Sequence, residues 1–178
     1  MTKTLLISWS SRKGNTDFIL SKICDKINSD KELIILRNKK IKHCIWCLSC
    51  HNKSECVIND DMTEIRNKML DSDIIIIGTP NYFGNISWLL KDFVDRMHPF
   101  YKFELLKWKK LVLIMIGGWS IESSEKYLDY TMHGFIKYLK LNLVESFCFQ
   151  ALNSKDLEKD SEIISKIDKI SQKINSIE

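Results

Sequence analysis

Between Asp73 and Gly78 the chain sets four isoleucines in a row, Ile74 to Ile77, with no polar residue among them. A strand with one wet face alternates apolar and polar side chains, because successive residues point to opposite faces. An unbroken β-branched run instead calls for burial on both faces, the condition of a central strand in a parallel sheet covered by helices. The run is far short of the roughly 20 apolar residues of a membrane span. The early run Leu5-Leu6-Ile7 is likewise too short for a span or a secretory leader.

The flanking pattern extends this strand into an alternating α/β chain. Lys3 to Trp9 reads as a strand, followed by a helical pattern from Thr16 through Phe18, Ile19, Ile23 and Ile27. Glu32 to Leu36 is a second strand, after which a cysteine-rich segment intervenes until Asp60-Asp61-Met62, where acidic residues open a helix through Ile65, Met69 and Leu70. Beyond the isoleucines come a helix from Ile86 to Met97, a strand from Lys110 to Ile116 and a helix from Ser123 to Leu139. A fifth strand from Leu143 to Gln150 and an amphipathic helix from Asp156 to Ile177 follow. Strand and helix alternate five times, which predicts a doubly wound five-stranded parallel sheet with right-handed crossovers in the flavodoxin-like order 2-1-3-4-5. Only 2 prolines and 6 glycines are spread over 178 residues, so no linker divides the chain and residues 1–178 are read as one domain.

The 27 basic and 23 acidic residues leave a net charge of +4, but the two signs are interleaved. That argues against a nucleic-acid partner, which needs a one-sided basic block, and for a solvated mixed surface, while the short amino-terminal apolar run leads to the expectation of a cytoplasmic protein.

In a doubly wound sheet, ligands bind beyond the carboxyl ends of the strands. The first such loop reads Ser8-Trp9-Ser10-Ser11-Arg12-Lys13-Gly14-Asn15-Thr16. It offers hydroxyls, a glycine and a helix amino terminus, suited either to a terminal phosphate or to simple helix capping. The second, Gly78-Thr79-Pro80-Asn81-Tyr82-Phe83-Gly84-Asn85-Ile86-Ser87, joins a rigid proline, two aromatics and amides, fitting a flat heteroaromatic ring or a packed turn. The third, Gly117-Gly118-Trp119-Ser120, is placed to close over the same ligand.

Of 6 cysteines, Cys44, Cys47, Cys50 and Cys56 follow C-x2-C-x2-C-x5-C within loop 41–60. Successive C-x2-C steps let one turning segment ligate neighbouring irons, so a [4Fe–4S] cluster is the first reading. Structural zinc, which favours two knuckles a dozen or more residues apart, and an unmetallated site remain alternatives. Cys24 and Cys148 sit in apolar patterns and read as small buried hydrophobes. His43 and His51 flank the motif and are given no role.

Several of these segments resemble known families. Ser11-Arg12-Lys13-Gly14-Asn15-Thr16 is similar to the phosphate-loop signature of flavodoxins. Gly78-Thr79-Pro80-Asn81-Tyr82, with Lys91-Asp92-Phe93-Val94-Asp95-Arg96, closely resembles the pattern of the NADPH-dependent FMN reductase and iron–sulfur flavoprotein group. The cysteine run, and Asp60-Asp61-Met62 beyond it, resemble that group's cluster motif between the second strand and the next helix. The resemblance implies FMN held by Ser10 to Thr16, Thr79 to Asn85 and Gly117 to Trp119, and a [4Fe–4S] cluster held by the four clustered cysteines. It further implies electrons arriving from a ferredoxin-like donor or NAD(P)H and leaving to a small acceptor, in a homodimer or homotetramer, with no residue acting as acid or base. Asp95 and Arg96 are then structural or interfacial.

Overall fold

The structure, a computed structural model, describes residues 2–177. Ile74 to Ile77 are each 0% exposed, and they form β3 (Ile74–Pro80) at the centre of the sheet. β1 (Lys3–Ser8) and β4 (Lys110–Gly117) flank it, while β2 (Asp30–Ile35) and β5 (Asn142–Gln150) form the edges. Every pairing is parallel and the order is β2-β1-β3-β4-β5, the predicted flavodoxin-like arrangement.

The isoleucines divide between the two faces by their parity. Ile75 and Ile77 join Leu5, Ile7, Leu113 and Met115 beneath α2 (Met62–Asp71), α3 (Trp88–Asp95) and α5 (Ile121–Leu139). Ile74 and Ile76 join Leu6, Val112 and Ile114 beneath α1 (Asn15–Lys26) and α7 (Ile163–Asn175). Burying one such side chain contributes about 1.5–3 kcal/mol, so this short run anchors both cores at once.

One predicted helix is shorter than expected and is followed by another outside its predicted bounds, and a second is broken in two. The helix expected from Ile86 to Met97 begins at Trp88, where Ser87 Oγ accepts the Leu90 N–H at 3.2 Å, and ends at Asp95. A short α4 (His98–Lys102) then starts afresh with Pro99 in its first turn, where a missing N–H costs no hydrogen bond. At the carboxyl end, α6 (Asp156–Lys159) stops at Asp160, whose Oδ1 accepts the Glu162 N–H at 2.8 Å as α7 begins. Among the described residues no helix is long and apolar enough to cross a membrane.

Candidate functional site

At the carboxyl edge of the sheet, the loops after β1, β3 and β4 converge on a cavity of about 330 Å³. Ser10, Arg12, Gly14, Asn15 and Thr16 line it from the first loop, Pro80, Asn81 and Tyr82 from the second, and Gly117, Gly118 and Trp119 from the third. No side chain caps α1, whose N-cap is Gly14. Its first-turn amides therefore face the cavity end without a side-chain acceptor, the arrangement that receives an anion. Asp17, which would oppose an anion, is compensated: Ser8 Oγ donates to its Oδ1 at 2.5 Å and Arg37 pairs with its Oδ2 at 2.7 Å.

Asn15 turns its side chain away from any such ligand. Its Nδ2 donates to the Asn153 carbonyl at 2.8 Å and its Oδ1 accepts the Leu157 N–H at 3.3 Å. This staple draws Ala151, Leu152 and Ser154, from the loop after β5, into the cavity wall. Sequence reasoning did not name them, although the strand-end rule applied to β5 points to the same loop.

The second loop folds as a two-residue turn. Phe83 and Gly84 both hold positive φ (55° and 76°), and Tyr82 and Asn85 exchange backbone hydrogen bonds at 2.9 and 3.1 Å. Such a turn requires left-handed backbone at both central positions, which Gly84 adopts freely and Phe83 only under constraint. Asn81 Oδ1 accepts the Gly84 N–H at 2.9 Å, while its Nδ2 is buried without a partner. A buried orphan donor on a cavity wall is suited to a ligand acceptor such as a flavin carbonyl.

Glycine at 117 is demanded by close approach, since a Cβ there would lie 2.6 Å from Asn81 Cβ. Trp119 packs edge-on against Tyr127, ring centroids 5.0 Å apart, and both rings contact the space beside Gly84. The remaining predicted residues stand outside the cavity wall. Thr79 is buried, its Oγ1 donating to the Pro80 carbonyl at 3.1 Å and accepting the Ser87 N–H at 3.3 Å. Ser11 Oγ lies 3.0 Å from Tyr82 Oη, so it joins the first two loops from outside. Lys13, Phe83 and Asn85 are exposed, Phe83 fully so at the turn's tip. Asn85 Oδ1 accepts the Ile86 N–H at 2.8 Å.

The cysteine loop follows β2 and is stapled at its base. Asp60 Oδ2 accepts the Lys42 N–H at 2.8 Å, Asp61 Oδ2 accepts the Lys40 N–H at 2.6 Å, and the Asp61 N–H donates to the Lys40 carbonyl at 3.1 Å. The aspartates expected simply to cap α2 thus serve the loop as well, Asp60 Oδ1 alone accepting the Met62 N–H. Arg96 forks onto Asp60 and donates to the carbonyls of Lys42 and Ile58. Its structural reading is explained: Arg96 is buried here, whereas Asp95 forms an exposed pair with Lys91.

Cys44, Cys47, Cys50 and Cys56 are all free thiols. Trp46 and Leu48 adopt left-handed backbone (φ 52° and 58°) on either side of Cys47. Among the described residues no three histidine, cysteine or acidic side chains are drawn together as an ion site. The four thiols nonetheless belong to one short loop closed at its base by Asp60 and Asp61. Burial raises the Cys50 thiol pKa, and the charges of Cys56, Cys44 and Cys47 raise it further. Cys56 and Arg96 line the same small cavity. An all-sulfur set from one short loop suits an iron–sulfur cluster in its donor chemistry.

His98 sits at the loop's inner side, its Nδ1 3.6 Å from Cys50 Sγ and its Nε2 3.2 Å from His51 Nε2. Burial, then the proximity of His51, holds its pKa below the ordinary histidine value. Neither His98 nor this contact of His51 was signalled by the motif, because His98 is distant in sequence. Of the two remaining cysteines, Cys148 is pushed up to about 12 by burial, in keeping with a packing role.

The fold and the converging loops define a flavodoxin-type α/β protein with a cysteine insertion after β2. Residues 2–155 match the family described as NADPH-dependent FMN reductase, and the chain belongs to that family. It is 39% identical over 97 residues to an iron–sulfur flavoprotein of Archaeoglobus fulgidus, covering 53% of this chain and 48% of that one. An iron–sulfur flavoprotein of Methanocaldococcus jannaschii is 28% identical over 176 residues, covering 90% and 88%. Against three relatives that are 34–39% identical to it, the chain spans about half the relative's length. Among solved structures, a flavone reductase superimposes with a TM-score of 0.73 at 20% identity, over 98% of this chain and 62% of that one, a likeness of fold.

Proposed function

We propose that this chain is an FMN- and [4Fe–4S]-binding electron-transfer flavoprotein, one FMN-binding domain carrying the cluster in loop 41–60. The observation that carries the reading is one loop, closed at its base by Asp60 and Asp61, that bears Cys44, Cys47, Cys50 and Cys56 as free thiols, on a family scaffold whose strand-end cavity presents uncapped amides and an orphan amide donor. The α1 amides, Ser10, Arg12 and Thr16 hold the FMN phosphate, with Ser11, Lys13, Gly14 and Asn15 shaping their loop. Asn81, Tyr82, Gly117, Gly118 and Trp119 surround the ring system, and Thr79, Pro80, Phe83, Gly84 and Asn85 set the turn beside it. When bound, the cluster supplies one-electron and FMN two-electron exchange, which suits passage from a ferredoxin-like donor to a small acceptor. No side chain need donate or accept a proton in the chemical step. The exposed aromatics Trp46, Tyr101 and Tyr138 border a second cavity of about 710 Å³, consistent with assembly as a homodimer or homotetramer.

An anaerobic visible spectrum, combined with iron and acid-labile sulfide assays, tests this reading. Flavin bands together with a broad sulfur-to-iron shoulder are expected; flavin without iron or sulfide overturns the cluster. The family description favours a second reading, an NAD(P)H-dependent FMN or quinone reductase without a working cluster. Fast bleaching of bound flavin by NADPH in iron-free protein selects it.

A further inference from the structure

His98 opens α4 directly after the turn at Arg96 and Met97, so the segment that grips the base of the cysteine loop also carries this imidazole. Its two nitrogens face two different partners, Cys50 Sγ at 3.6 Å and His51 Nε2 at 3.2 Å. The His51 and His98 rings stack with centroids 4.6 Å apart and an interplanar angle of 23°. Trp46 and Tyr101 meet His98 edge-on at 5.4 and 5.9 Å, so the ring is held in its plane from three sides.

A metal-bound thiolate has no proton to give, so a hydrogen bond to Cys50 in the loaded site runs from His98 Nδ1 to sulfur. A neutral imidazole carries one N–H, which leaves His98 Nε2 as an acceptor, and His51 Nε2 must then be the donor across the 3.2 Å contact. With Cys50 a thiolate and His98 neutral, the two contacts fix one assignment for both rings.

We propose that His98 is a positioning residue for the cluster, donating Nδ1–H to Cys50 Sγ, with His51 locking the tautomer through its own Nε2–H. The inference rests on the cluster-binding reading above. An N–H aimed at a ligating sulfur stabilises the more negative, reduced cluster and so raises its reduction potential.

The test compares anaerobically reconstituted wild type with His98→Leu, His98→Asn and His51→Phe by spectroelectrochemical titration, with iron, sulfide and FMN counted in each. The cluster potential is expected to fall in His98→Leu and to recover in His98→Asn, whose amide N–H stands near the lost Nδ1–H. His51→Phe, which keeps the stacking but not the donor, should lie between. An unshifted potential in His98→Leu at full iron and sulfide overturns the inference. A second arm, independent of variant folding, uses wild-type protein loaded with cadmium(II) and ¹⁵N-labelled at histidine. Protonation of His98 at Nδ1 supports the assignment; protonation at Nε2, or metal on Nδ1, overturns it. Wild type that takes up neither iron, sulfide nor cadmium overturns the cluster reading and this inference together. Metal uptake without the shift overturns the inference alone.

Discussion

Arg96 Nη1 lies 2.7 Å from Asp60 Oδ2, with both side chains almost wholly buried (1% and 2% exposed). The pair joins the end of α3 to the point where the cysteine loop re-enters the fold. Removing one partner of a buried pair strands the other charge, at a cost of about 3–5 kcal/mol. Arg96→Leu should therefore lower Tm by roughly 2–4 °C per kcal/mol lost. It should also reduce iron retention more than FMN retention, as read by calorimetry and metal analysis after gel filtration. An unchanged Tm contradicts this account of the pair.

The same pair sets an acid limit. Burial pushes the Asp60 carboxyl up, but the Arg96 guanidinium and the N–H groups of Lys42 and Met62 outweigh it and hold the pKa below 3.8. A depressed carboxylate stabilises the fold at pH above its unfolded value, and that stabilisation disappears as pH falls through the folded value. Wild type should thus lose stability from about pH 4 downward, and Asp60→Asn should flatten that part of the curve. Parallel curves for the two proteins in acid unfolding experiments would show that Asp60 does not set the limit.

Gly117→Ala places a methyl where only 2.6 Å separates it from Asn81 Cβ, so the second and third loops must part. Gly14→Ala meets Ser154 Oγ at 3.4 Å, an ordinary contact, on an extended backbone. Fluorescence titration with FMN should show at least tenfold weaker binding for Gly117→Ala, about 1.4 kcal/mol, and a much smaller change for Gly14→Ala. The opposite order would move the ring site away from Asn81.

Cys47→Ser removes one of the four sulfurs without touching the flavin cavity. Its anaerobic spectrum should lose the sulfur-to-iron shoulder and retain the flavin bands; equal loss of both would mean the loop supports flavin binding directly.

In metal-free native protein at pH 8, Cys148, with its thiol pKa near 12, should resist iodoacetamide while the loop cysteines react. Peptide mapping reads the order, and early labelling of Cys148 would show that the β5 edge opens.

Much of this architecture was legible because it depends on local pattern. Ile74 to Ile77 announced a two-faced strand, and the spacing of Cys44, Cys47, Cys50 and Cys56 announced a compact sulfur set. The features that escaped depend on residues brought together from far along the chain. Arg96, at the end of α3, grips Asp60, 36 residues away, a pairing that no local pattern signals. Asn15 looks like a cap or phosphate ligand from its neighbours, yet spends both side-chain groups on Asn153 and Leu157, across the cleft. His98 carries no motif at all, and only the packing of α4 against the turn at Ser49–His51 brings it to Cys50.

The staple between Lys40, Lys42, Asp60 and Asp61 joins the two stems of the cysteine segment by direct hydrogen bonds before the sulfur-bearing residues begin. Between those stems the segment meets the rest of the protein through side chains, His98 against Cys50 and Trp46, Asp92 against His43 and Arg96 against the Ile58 carbonyl. The junction of β2 and α2 is thus held by bonds that involve no cysteine, so replacing all four thiols leaves that corner of the fold with its own fastening.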